Sequence, residues 1–94
     1  MLVDLHFPAS GDLKGKRKHL SSLKTQLRGR LGAAVAEVDH HDRWQRAGLS
    51  VAVTAQTLQG VEQAADRVER FVLDRNPDGA SFERYVASTE DLRG

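Results

Sequence analysis

No cysteine occurs anywhere in the 94 residues. A disulfide framework and a thiolate metal site are therefore both excluded, and the composition fits a reducing compartment. Aromatic side chains are scarce, with one Trp, one Tyr and three Phe. Long apolar runs are missing as well. The opening stretch Met1-Leu2-Val3-Asp4-Leu5-His6 is interrupted by Asp4. It is too short for a signal-peptide core, and no stretch approaches the ~18 apolar residues of a membrane span. The cytosol is the expected location. There is no repeat, linker or low-complexity segment, so a single domain over residues 1–94 is expected. A chain of this length buries somewhat over ~60% of its unfolded surface, enough for one two-layer core.

What is present is an uneven distribution of charge beneath a net value of only +1. Residues 12–32 hold Lys14, Lys16, Arg17, Lys18, Lys24, Arg28 and Arg30 against Asp12 alone, a net +6. Residues 33–94 hold seven Lys/Arg against eleven Asp/Glu, a net −4, and Asp4 completes the balance. One basic segment on an otherwise acidic body points to a localised anionic partner rather than to general adhesion.

Hydropathy patterning supplies the elements. Val3, Leu5 and Phe7 alternate with Leu2, Asp4 and His6, the period of a half-buried strand over Leu2–Phe7. Pro8-Ala9-Ser10-Gly11 breaks it, and Asp12 can cap a helix by accepting an orphan backbone N–H. Apolar positions 13, 20, 23, 27 and 31 form a narrow helical stripe that Gly32 stops, giving a helix at about 12–31. Ala33–Val38 suits a strand, and the polar stretch His40–Arg46 connects it to the next. Leu49, Val51 and Val53 alternate with Ser50, Ala52 and Thr54, a third strand. Thr57 caps a second helix with apolar Leu58, Val61, Ala64, Ala65, Val68, Phe71 and Val72, ended by Asn76-Pro77-Asp78-Gly79. Ser81–Ala87 reads as a last strand with Phe82 and Val86 inward. The order βαββαβ predicts an α+β, ferredoxin-like two-layer sandwich: an antiparallel four-stranded sheet with two helices on one face and the other face open.

Several stretches resemble the YlxP-like family, a small bacterial domain of unknown function. They are Asp4-Leu5-His6-Phe7-Pro8, Leu13-Lys14-Gly15-Lys16-Arg17, Ala36-Glu37-Val38 through His40 and Asp42, Trp44-Gln45-Arg46-Ala47, Val51-Ala52-Val53 and Val68-Glu69-Arg70-Phe71-Val72. The resemblance spans most of the chain in order and implies a ferredoxin-like fold. Genes of that family often neighbour those for translation initiation factor two and ribosome-binding factor A, which implies work near the ribosome. The implication is one of association, and fold alone does not give function.

The first candidate site is the basic helix. Measured from Leu13 at 100° per residue, the apolar stripe occupies roughly 280° to 0°, and Lys14, Arg17, Lys18, Lys24 and Arg28 fall between about 20° and 140°. Lys14, Lys16, Arg17 and Lys18 stand in the first two turns, at the positive end of the helix dipole, where each cation is disfavoured by ~0.3–1 kcal/mol. Visiting phosphates, from rRNA or the ribosome, would account for such a cluster. The competing reading is a solvated face that pairs with Glu62, Asp66, Glu69 and Asp74 of the second helix.

The second candidate is the loop Asp42-Arg43-Trp44-Gln45-Arg46. It holds the single tryptophan between two arginines, the residue types most enriched at binding hot spots, and Asp42, Trp44, Gln45 and Arg46 are its candidate interaction residues. A homo-oligomeric or protein-interaction module using this loop or the open sheet face is the alternative function, and Trp44 folding back over the hydrophobic edge is the alternative to both.

Other motifs fall away. Ser10-Gly11-Asp12-Leu13-Lys14-Gly15-Lys16 lacks the spacing of a phosphate-cradling loop, and Arg17 stands where a hydroxyl would be needed. Gly29-Arg30-Leu31-Gly32 matches G-x-x-G but is explained by a helix end. The outward positions Asp4, His6, Ser50, Ala52 and Thr54 carry no aromatic for base stacking. In Asp39-His40-His41-Asp42 the adjacent imidazoles diverge on an extended chain, so no metal is expected there. No nucleophile–base–orienter set, cofactor motif or small-molecule substrate is indicated, and the expectation is a non-enzymatic binding module.

Overall fold

A computed structural model of the protein describes residues 1–8, 11–39 and 45–93. The elements run β1 (Leu2–His6), α1 (Leu13–Leu31), β2 (Ala34–Asp39), β3 (Arg46–Ala52), α2 (Leu58–Arg75), β4 (Ala80–Glu83) and α3 (Thr89–Arg93). The sheet order is β2-β3-β1-β4 with every neighbouring pair antiparallel. The α+β order and open sheet are those of the ferredoxin-like sandwich predicted from patterning.

Alternation along each strand divides the sheet into two faces. Val3 and Leu5 of β1, Val35 of β2, and Ala47, Leu49 and Val51 of β3 turn to the helices and are buried. They meet Leu20, Leu23 and Leu27 of α1 and Val68 and Val72 of α2 in one cluster, with Phe71, Ala80 and Phe82 packed at its margin. Each fully buried Leu or Val contributes ~1.5–3 kcal/mol relative to exposure. On the opposite face Leu2, Asp4 and His6 of β1 stand beside Arg46, Gly48 and Ser50 of β3, since Leu2 faces Ser50, Asp4 faces Gly48 and His6 faces Arg46.

Helix boundaries follow local chemistry. The Asp12 carboxylate accepts the Gly15 N–H at 2.7 Å, and the Thr57 hydroxyl accepts the Gly60 N–H at 2.9 Å, each satisfying a first-turn orphan donor. At the end of α1, Gly32 adopts φ 64° and its amide turns back to the Leu27 carbonyl, which also accepts from Ala33 at 3.1 Å. That left-handed geometry is one only glycine takes without strain. α2 ends on Asn76, whose side-chain amide donates to the Val72 carbonyl. Gly79 follows at φ 104°, donating to Asn76 O at 2.9 Å and accepting from His6 N at 3.0 Å, so the turn is tied to β1.

Four expectations are corrected. The last strand is Ala80–Glu83, not Ser81–Ala87. Glu83 faces Leu2 and the ladder ends there, after which Arg84 turns to carboxylates on α2. Val86 is consequently 44% exposed rather than inward. Third, β3 starts at Arg46 rather than Leu49, which removes Arg46 from the connecting loop and places it on the sheet. β3 also ends at Ala52, leaving Thr54 outside it. Fourth, a short helix, α3, follows at Thr89–Arg93. It is started by a reciprocal cap in which Ser88 Oγ accepts the Asp91 N–H at 3.2 Å and the Asp91 carboxylate accepts the Ser88 N–H at 2.8 Å. In β2 the register shifts between Glu37 and Asp39, a bulge on an edge strand.

Candidate functional site

The helix α1 sorts its cations by angle. Lys14, Arg17 and Lys18 are exposed on the solvent flank of the first two turns. Among the described residues these three make no ion pair or side-chain hydrogen bond. Further along, the same flank is partly committed to the fold. Lys24 lies 3.8 Å from the Glu37 carboxylate of β2, and Arg28 donates to the Val35 carbonyl at 2.7 Å. Lys16 departs from the group altogether. It is 4% exposed, because its position on the wheel, about 300°, lies on the apolar stripe rather than the basic flank. Its stem lies in the domain and it cannot present a cation to a partner on the solvent side.

The acids of α2 do not neutralise this flank. Arg84, just past β4, collects them: its guanidinium lies 2.5 Å from Asp66 and 3.5 Å from Glu62 and also bonds Glu69. The hydrogen bonds to Asp66 and then Glu69 raise the Arg84 pKa above the ordinary arginine range, outweighing the opposing effect of burial. Asp74 lies 3.7 Å from Arg75 of its own helix. The pairing between the two helices that sequence allowed is thus replaced by pairing within the α2–β4 side.

The second feature is a cavity of about 380 Å³ lined by the end of β1, the first turns of α1 and the α2–β4 turn. Its walls include Phe7, Pro8 and Pro77, with Lys16, His19 and Asn76 among its polar groups. Asn76 is 5% exposed. Its amide nitrogen is committed to Val72 O, which turns its oxygen toward His19 Nε2 at 2.8 Å. That oxygen accepts only, so Nε2 carries the proton and, in the neutral ring, Nδ1 is left as an acceptor. The Phe7 ring meets the imidazole edge to face at 5.6 Å between centroids, a favourable aromatic geometry. Nearby, Arg75 is spent on Gln26 at 3.1 Å and on the Phe71 ring, 3.4 Å from its centroid.

On the open sheet face Arg46 and Asp4 form an ion pair at 2.5 Å, a diagonal contact across β1 and β3. Leu2 and Val38, 52% and 50% exposed, flank a shallow groove of about 310 Å³ that includes Gly48 and Ser81. The outward positions expected from sequence, Asp4, His6, Ser50 and Ala52, are found there, and among the described residues none on this face is Phe, Tyr or Trp. Of the loop candidates, Gln45 is an exposed turn residue whose carbonyl accepts from Phe7 N at 2.8 Å. Asp42 and Trp44 lie outside the described residues, as do His40, His41 and Arg43. Among the described residues no three His, Asp or Glu gather as a metal site, and no helix is long and apolar enough to cross a membrane.

Sequence reasoning missed the cavity. His19 and Asn76 are 57 residues apart, and no local pattern marks them. The one signal was Lys16, a lysine at an apolar angle. Comparison with curated proteins finds no match. A family model described as a protein of unknown function (DUF503) matches residues 1–84, which hold all four strands and both long helices. The chain belongs to that family.

Proposed function

We propose that the domain is a non-enzymatic, RNA- or ribosome-associated module that holds phosphates on the solvent flank of α1. The observation that carries this is the state of Lys14, Arg17 and Lys18: exposed, adjacent, and unpaired among the described residues while Arg84 takes up the acids of α2. Cations at a helix N-terminus are unfavourable for the helix itself. A polyanion that neutralises them would repay that cost. The resemblance to the YlxP-like family supports the same reading through its gene neighbourhood.

The test is the triple variant Lys14→Glu, Arg17→Glu, Lys18→Glu in ribosome and rRNA co-sedimentation. Acidic residues in the first turns favour the helix dipole, so the variant should melt no lower than the wild type. Binding should be lost. For the wild type, neutralising about three phosphates of a single strand gives a log–log salt slope near −2, so raising salt from ~50 to ~200 mM should weaken binding about 20-fold. Equal binding by wild type and variant at moderate salt would sink the proposal.

A second reading rests on the open face, where half-exposed Leu2 and Val38 border the groove over Gly48. Such a surface suits a protein partner or a second copy of the chain. Sedimentation equilibrium decides it for self-association: a monomer across the accessible concentration range removes the homo-oligomer.

A further inference from the structure

We propose that the cavity beside the start of α1 takes one unstacked nucleobase of a single-stranded RNA, an inference that rests on the phosphate-binding reading of α1. The cavity and the basic flank share the same two helical turns. Gly15, Lys16 and His19 face the cavity, while Lys14, Arg17 and Lys18 face solvent. Four residues at 1.5 Å rise separate Lys14 from Lys18 by only ~6 Å along the axis. A phosphate on the flank and the base of the same or the next nucleotide in the cavity are therefore within reach of one another.

Three properties of the cavity favour a base over a second phosphate. Its volume, about 380 Å³, is at the small end of ligand sites and suits one planar ring system. Its charge is balanced: Lys16 and Arg75 stand against the carboxylates of Asp12 and Asp78, so the lining carries no excess of cations for a phosphate, and the carboxylates can accept the N–H groups of a neutral base. Its polar atoms are varied, and the imidazole among them is held in place. Lys16 donates, Asp78 accepts, and His19, held by Asn76 at 2.8 Å, offers Nδ1 as an acceptor. The rings of Phe7, Pro8 and Pro77 supply apolar walls. A base edge carries that mixture of donors and acceptors, and only an unpaired base exposes it in full. Duplex RNA would meet the flank but leave the cavity empty.

Fluorescence anisotropy with a labelled unstructured RNA 12-mer and its matched duplex tests this. Wild type should prefer the single strand by about tenfold, the effect of docking one base. His19→Gln keeps a donor for Asn76 but removes the ring, and should bring the two RNAs to within about threefold while the melting temperature holds. Asp78→Ala lies on an exposed turn and serves as the second variant. If only charge mattered, removing this carboxylate would tighten both RNAs alike. If a base is held, single-strand binding weakens and duplex binding does not. Equal affinities in the wild type, or a preference unchanged in both variants, would overturn the proposal. The triple glutamate variant keeps the two readings apart. Loss of both RNAs there, with the preference intact in the cavity variants, removes the base site alone. Retention of both RNAs removes the phosphate site and the base site together.

Discussion

Replacing Arg84 with methionine should destabilise the domain through charge alone. Methionine keeps an apolar stem and removes the guanidinium fork. Arg84 faces Glu62, Asp66 and Glu69 and has 26% of its side chain exposed. Exposed ion pairs contribute ~0.2–1 kcal/mol each, and the Glu62–Asp66 pair left facing itself at i, i+4 adds ~0.2–0.5 kcal/mol of repulsion, so the expected loss is about 1–2 kcal/mol. In a domain of this size that lowers Tm by ~5–15 °C. Thermal melts of wild type and variant in low salt and in about 1 M NaCl should show the gap at least halved by screening. The pH dependence has a defined sign. Because folding raises the Arg84 pKa, its contribution is fully present below the ordinary arginine value and is lost only as pH rises past the still higher folded value. The gap should therefore be flat from about pH 7 to about pH 10. A variant that melts within about 2 °C of wild type, or a gap equally large in high salt, would refute the reasoning.

Leu49 is fully buried on β3, and Leu49→Ala should cost ~2–5 kcal/mol in urea unfolding, enough to leave a marginal domain largely unfolded. A cost under ~1 kcal/mol would mean the core is loosely packed there. Thr57→Ala removes the cap on the Gly60 N–H and should cost about 1 kcal/mol, whereas Thr57→Asp should hold stability; equal losses in the two would assign the effect to something other than capping. Gly32→Ala forces a β-carbon into φ 64° and should cost ~1–2 kcal/mol by denaturant titration, with Gly32→Asn intermediate.

Periodicity carried the fold because burial in this molecule follows it. β1 alternates exposed and buried residues along Leu2–His6, and α1 begins after the residue, Asp12, whose side chain caps it. What patterning could not deliver were contacts between distant charges. Ser81–Ala87 reads as one strand because nothing local shows that Arg84 will leave the ladder for α2. The short helix after it was within reach, since Ser88 and Asp91 stand at capping-box spacing. The basic flank was legible as a set of angles, with Lys16 misplaced by its charge when its angle already assigned it to the interior. The cavity was not legible at all. It is made where Phe7, His19 and Asn76 converge from three separate segments, and convergence is a property of topology that spacing along the chain does not encode.

Under the proposed polyanion binding, the bulge in β2 would also bear on how copies of the chain meet. Many copies drawn to one nucleic-acid strand would stand at high local concentration, with sheet edges able to template one another. On β2 the regular run from Ala34 ends at Glu37, where the register slips. The opposite edge, β4, is four residues long and gives way to Arg84. Neither edge presents the unbroken segment of about six residues that stacked cross-strand assemblies require. Crowding along a polyanion would therefore leave the copies as separate folded units rather than a fused, fibrous array.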